Sequence, residues 1–124
     1  MKRVLTAAIV AAFMLLTVGQ SAAVGPDDGV WLVVQSSQQY GTFQFFASIH
    51  QNGATVVIMN AYQDGAWDYS IGTRSGATVQ GTGYDPITGA TYGTYSVTLT
   101  SCTTFSGQAN VLGVVWSVSG TKLF

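Results

Sequence analysis

From Val30 onward the chain is patterned at a period of two. Phe43, Phe45, Ala47 and Ile49 recur at every second position, with Gln44 and Ser48 between them and Phe46 breaking the alternation. Trp67, Tyr69 and Ile71 repeat the pattern, separated by Asp68 and Ser70. Such a period belongs to β-strands with one face covered. Both apolar sets are therefore predicted to face inward, with the intervening polar residues in water and Phe46 as an exposed aromatic. Residues 54–62, "ATVVIMNAY", are apolar on both faces, and a strand of that kind does not reveal its register.

Turn signals divide this pattern at regular intervals. Gly41, Gly53, Gly65, Gly76 and Gly89 lie 11 to 13 residues apart, and "SCTT" from Ser101 to Thr104 and then Gly113 continue the rhythm. Asn52-Gly53 and Asp64-Gly65 are the pairs favoured in two-residue type I′ hairpins, and "YDPITG", Tyr84 to Gly89, reads as a longer turn begun by Asp-Pro. Strands are predicted over 30–35, 42–51, 54–62, 66–73, 77–84, 90–100, 104–111 and 114–123. Eight strands in succession with short connections give an all-β fold, a single antiparallel up-and-down β-barrel that leaves no free edge. Gly81, Gly83, Gly93 and Gly107 fall inside strands, where they permit the bends that closure requires. A barrel of this size is just wide enough to be packed by side chains or to hold one small ligand.

The region before the strands has a different character. Lys2 and Arg3 precede an apolar run from Val4 to Val18, and Ser21-Ala22-Ala23 supplies small residues for cleavage, so residues 1–23 read as a secretory signal peptide. The apolar run is too short for a spanning helix, and no cysteine near the cleavage point offers a lipid anchor. Residues 24–29 form an N-terminal arm and residues 30–124 the barrel domain. The predicted location is secreted or periplasmic.

Charge narrows the function classes. Residues 24–124 hold Arg74 and Lys122 against Asp27, Asp28, Asp64, Asp68 and Asp85, a net charge of −3 with His50 neutral. Nothing basic is available to follow a phosphate backbone, so nucleic-acid binding is excluded. Cys102 is the sole cysteine, so no intrachain disulfide forms; an unpaired thiol and an interchain bridge both stand. One Cys and one His make no zinc centre, and Asp27-Asp28, read as a solvated turn, falls short of a calcium loop. His50 reads as a solvated residue beside a turn. No catalytic residue, metal ligand or cofactor is predicted.

Gly29-Val30-Trp31 at the head of the first strand and Lys122 in "SGTKLF" add a resemblance. A Gly-x-Trp opening an eight-strand meander is similar to the calycin superfamily, the lipocalins and the avidin-like biotin binders. The resemblance implies that Trp31 packs across the closed end of the barrel with a basic side chain of the last strand, Lys122, over its ring as a cation–π pair. It assigns Gly29, Trp31 and Lys122 to barrel closure. Four departures mark the chain: it is short for a lipocalin, lacks a helix after the barrel, shows none of the loop pattern that marks a member, and carries no match to the polar biotin-binding set.

The remaining chemical resource is aromatic. Phe45, Trp67, Tyr69, Tyr95 and Trp116 are the candidate ligand-binding residues, for a small apolar or aromatic molecule entering opposite Trp31; the same side chains packed tightly make a dry core. The leading expectation is an exported, non-enzymatic binding module. Two alternatives stand beside it: a protein-interaction module, such as an exported protease inhibitor or adhesion domain, and a small outer-membrane barrel prompted by the terminal Phe124 and the low charge.

Overall fold

The computed structural model describes residues 27–124; the segment read as a signal peptide lies outside them. Eight strands follow one another: β1 (Gly29–Ser37), β2 (Gly41–Asn52), β3 (Thr55–Ala61), β4 (Trp67–Ser75), β5 (Thr78–Tyr84), β6 (Thr91–Leu99), β7 (Thr104–Val111) and β8 (Val114–Lys122). Each pairs antiparallel with the next, and β8 returns to β1, giving a closed up-and-down barrel. The expected fold class is the one found, and closure leaves no strand edge unpaired.

Register fixes which residues point inside. Gln51↔Val56, Ile49↔Ile58 and Ala47↔Asn60 join β2 to β3, and Ile58↔Ser70 and Asn60↔Asp68 carry the same face into β4. On β2 the expected face holds: Phe45, Ala47 and Ile49 are buried and Phe46 is 53% exposed. Phe43 lies on that face too, yet β2 is twelve residues long and overshoots its cover, so Phe43 emerges at the rim.

On β4 the expected face is inverted. Trp67 and Ile71 are exposed, while Ser70 and Gly72 are buried. The cause is the preceding turn. Tyr62 N–H donates to Ala66 O at 2.9 Å and Gly65 N–H to Tyr62 O at 3.1 Å, which closes three residues, Gln63, Asp64 and Gly65, rather than two. A two-residue hairpin would have set Tyr62 against Trp67; the extra residue sets Ala61 against Trp67 and Asn60 against Asp68. A slip of one residue moves every side chain to the opposite face.

The type I′ assignment fails at both predicted turns, because neither Asn52 nor Asp64 has positive φ; among described non-glycine residues only Leu112 does, at 50°. That angle, followed by 84° at Gly113, makes Leu112-Gly113 the link with both central residues left-handed.

The core occupies the end of the barrel where the chain enters. Trp31, Ile49, Val56, Val79, Val97 and Phe105 fill it, with Trp31 at 0% exposure and its ring centroid 5.2 Å from that of Phe105. Burying a side chain of this size supplies about 1.5–3 kcal/mol, and these residues form the apolar floor of the interior.

Candidate functional site

The floor is sealed by residues of the arm. Trp31 Nε1–H donates to the Asp27 carbonyl at 2.9 Å, and the Asp27 carboxylate pairs with Arg74 Nη1 at 2.8 Å. Burial pushes the Asp27 carboxyl above the usual carboxylate range, and the adjacent Arg74 guanidinium opposes that shift in part. Asp28 Oδ1 accepts from the Gln51 N–H at 2.6 Å. The pair expected as a solvated turn is instead a plug, because the Arg74 side chain on the inward face of β4 gives Asp27 a partner under the barrel.

Gly29, Trp31 and Lys122 all belong to this floor. Trp31 stands directly across from Lys122 in the β1–β8 register, on the inward face. Gly29 has φ of 143°, and a Cβ there would run into the Phe124 carbonyl and approach Lys122 Cε to 2.8 Å. Only glycine lets the C-terminal strand and the lysine stem cross so closely.

Above the floor the interior is open. A cavity of about 280 Å³ runs from Trp31 and Phe105 up to Trp116, and it shares Gln35, Tyr62, Val111 and Trp116 with an outer bowl at the opposite mouth. Phe45 and Tyr62 line the cavity with their rings 4.9 Å apart. At the rim Trp116 is covered by Tyr40, stacked at 6.0 Å, and by the edge contact of Phe43 at 5.8 Å.

One wall of the cavity is polar. Asn60 Nδ2–H donates to Asp68 Oδ1 at 2.8 Å and the Tyr62 hydroxyl donates to Asp68 Oδ2 at 2.5 Å. The Tyr92 ring lies on the same wall, near enough for the Asp68 carboxylate to act on its ionisation. Burial, and then the neighbouring Asp68, push both phenols above their usual range, so their protons remain in place. Tyr92 reaches this wall through an irregularity. The β5–β6 register shifts between Gly83 and Tyr84, so that Gly83 faces Gly93 while Tyr84 faces Thr91. Tyr92 is the unpaired residue, and the bulge turns it inward over Gly83, where an added Cβ would meet its ring at 2.8 Å.

Deeper in, Tyr95 spans the cross-strand pair Gly72 and Gly81, its hydroxyl occupying the space their side chains would need. That hydroxyl is buried and makes no hydrogen bond. Ser70 lies close enough to influence its ionisation, but not in hydrogen-bonding geometry; desolvation dominates and raises the phenol. A buried polar group without a partner is costly, and the residue that carries it lines the cavity.

Of the five candidate ligand residues, Phe45, Tyr95 and Trp116 line the cavity. Trp67 and Tyr69 do not: Trp67 is 50% exposed on the outside, and Tyr69 stacks on Tyr84 there at 5.3 Å. Both corrections follow from the inverted β4 face. Sequence reasoning missed Asn60, Tyr62, Asp68 and Tyr92; the Gly81-x-Gly83-Tyr84 stretch was the available signal, since glycines so spaced inside a strand mark a bulge or a close approach. His50 stands on the outer surface, where its Nε2 meets Ser48 Oγ at 3.0 Å, and Cys102 is exposed in the β6–β7 turn.

No family model matches the sequence, and no curated protein matches it. Among solved structures it is similar to a redesigned β-barrel at 17% identity and a TM-score of 0.65, covering 80% of this chain and 93% of that one. It is also similar to a de novo designed fluorescence-activating β-barrel, at 14% identity, TM-score 0.59, and 77% and 93% coverage. A third, a redesigned β-barrel bound to DFHBI, aligns at 19% identity and TM-score 0.59 over 80% of this chain and 95% of that one. At these identities the likeness is one of fold, and the chain is a small eight-stranded antiparallel β-barrel.

Proposed function

We propose that this protein is an exported, non-enzymatic binding module that holds a small apolar or aromatic molecule in the open half of a calycin-like barrel. The observation that carries the reading is the cavity of about 280 Å³, walled by aromatic rings and furnished on one side with Asp68 held by Asn60 and Tyr62. Small-ligand sites are mostly apolar with a few positioned polar groups. The similar designed barrel bound to DFHBI supports the capacity of this fold to hold a small molecule. Trp31 opposite Lys122 across a glycine-dependent crossing supports the calycin-like closure, and the character of residues 1–23 supports export. Trp116 lines the cavity, so titration with a panel of small aromatic compounds should change tryptophan fluorescence saturably. A flat response across the panel overturns the reading.

A second reading, a protein-interaction module, draws on the outer face. Phe46, Met59, Trp67 and Ile71 are exposed on adjacent strands β2 to β4, with Phe46 and Trp67 both paired to Ala61. Concentration-dependent mass in solution, abolished by Trp67→Ser, supports it; monomer behaviour throughout, with no partner captured, removes it. The outer-membrane alternative is weakened by the other half of the exterior. Thr94, Ser96 and Thr98 on β6 face outward beside Ser106, Gln108 and Asn110 on β7, where lipid requires an apolar band.

A further inference from the structure

We infer that the cavity takes a small organic monocation, a protonated amine on an apolar or aromatic body, with Asp68 as its counter-ion. This rests on the binding reading above and adds the ligand's charge. Three features lead to it.

The first is the use of hydrogen-bond donors. Asn60 and Tyr62 each direct a donor at Asp68, one to each carboxylate oxygen. A carboxylate offers about four acceptor positions, so acceptor positions remain for a ligand. With its proton committed to Asp68, the Tyr62 phenol presents oxygen lone pairs, and Asn60 presents its Oδ1. The polar wall is thus rich in acceptors, which select a group with N–H donors.

The second is the distribution of charge between the two ends. Among the described residues the cations are Arg74 and Lys122, and both lie at the floor: Arg74 bonds to Asp27, and Lys122 stands across from Trp31 beside Gly29. The open half holds Asp68 in the cavity, Asp64 on the outer bowl, and Asp85, whose charge acts on Tyr92. The mouth therefore carries a field of one sign, which draws cations inward.

The third is the wall itself. Phe45, Tyr62, Tyr92 and Trp116 line the same cavity as Asp68 with aromatic rings, and a cation desolvated against such faces gains from the ring quadrupole. A neutral ligand gains the apolar contacts but neither charge interaction. A carboxylate ligand meets Asp68 with like charge.

The test uses three probes of matched size near neutral pH: phenethylammonium, 2-phenylethanol and 3-phenylpropionate, titrated by calorimetry against the purified protein. The expected result is that phenethylammonium binds at least about tenfold tighter than the alcohol, with the carboxylate weakest. Asp68→Asn, whose fold is checked by its melting curve, should abolish the preference for the cation over the alcohol. Trp67→Ser, on the outer face of β4, leaves the cavity wall intact and should keep the preference. If the wild-type protein binds the alcohol as well as the amine, the charge inference fails and the cavity reading stands. A preference that survives Asp68→Asn removes Asp68 as the counter-ion. If none of the three binds, both the inference and the cavity reading fall.

Discussion

The two ends of this barrel are built from similar residue types and arranged to opposite effect. At the floor, an aspartate, an arginine and a tryptophan are joined: Asp27 pairs with Arg74 through one carboxylate oxygen, and its carbonyl takes the Trp31 indole N–H. At the mouth, an aspartate and a tryptophan stand among tyrosines, Asp68 is held only by neutral donors, and Trp116 leaves a cavity beneath it. The contrast teaches that charge pairing closes this fold at one end, while a fixed but electrically uncompensated carboxylate keeps chemistry available at the other. The outer surface divides in a similar way. Strands β2 to β4 present Phe46, Met59, Trp67 and Ile71 to solvent, whereas β6 to β8 present serines, threonines and amides, with Val115 as the exception.

This division of labour is broken most severely at Trp31. Replacement by alanine removes the largest fully buried side chain and its bond to Asp27, and should cost about 3–5 kcal/mol in urea unfolding; a loss below about 1 kcal/mol would deny the floor its role as the core.

Arg74→Met separates the charges. Asp27 is then buried without its partner, and the loss at neutral pH should be about 3 kcal/mol, the lower end for a broken buried pair because Arg74 is 21% exposed. The pH dependence carries a sign. Asp27 has a folded-state pKa raised above the ordinary 3.8, so its contribution to stability is fully present below that ordinary value and declines as pH rises through the folded one. Arg74→Met removes an influence that lowers the Asp27 pKa, so the variant should recover stability on acidification more steeply than the parent. Asp27→Asn should lack this component altogether, a difference visible in paired unfolding curves across the acid range.

Gly29→Ala sharpens the floor's geometry. Its new methyl meets the Phe124 carbonyl and the Lys122 stem, and overpacking of this kind should cost about 1–3 kcal/mol, measured as a lower melting temperature with the barrel intact by circular dichroism. The smallest effect belongs to the outside. Trp67→Ser should shift stability by no more than about 0.5 kcal/mol and leave cavity binding unaltered by fluorescence titration; a large loss would mean that the outer face of β4 is covered in solution.

Legibility in the sequence differed along the chain for identifiable reasons. Closure was readable because eight strands in succession with short links bring the first and the last strand together, and β8 does return to β1. The inward face of β2 was readable because Phe45, Ala47 and Ile49 alternate with polar residues. The face of β4 was misread because Asp64-Gly65 fits both a two-residue and a three-residue hairpin, and one residue of loop length exchanges Trp67 and Tyr69 for Asp68 and Ser70. Tyr92 was invisible because its inward turn arises from a bulge in the pairing of β5 with β6, not from its place in an alternating pattern.

The sequence by itself determined eight strands, their order and their closure, since a period of two with turn signals every dozen residues admits little else and short links force neighbours to pair. Tertiary structure alone decided which end of the interior carries the buried apolar floor and which polar groups enter the other end. Those outcomes depend on strand register, which is settled by turn geometry and bulges acting across strands, and a local alternation of polar and apolar residues cannot state on which side of the sheet it will come to rest.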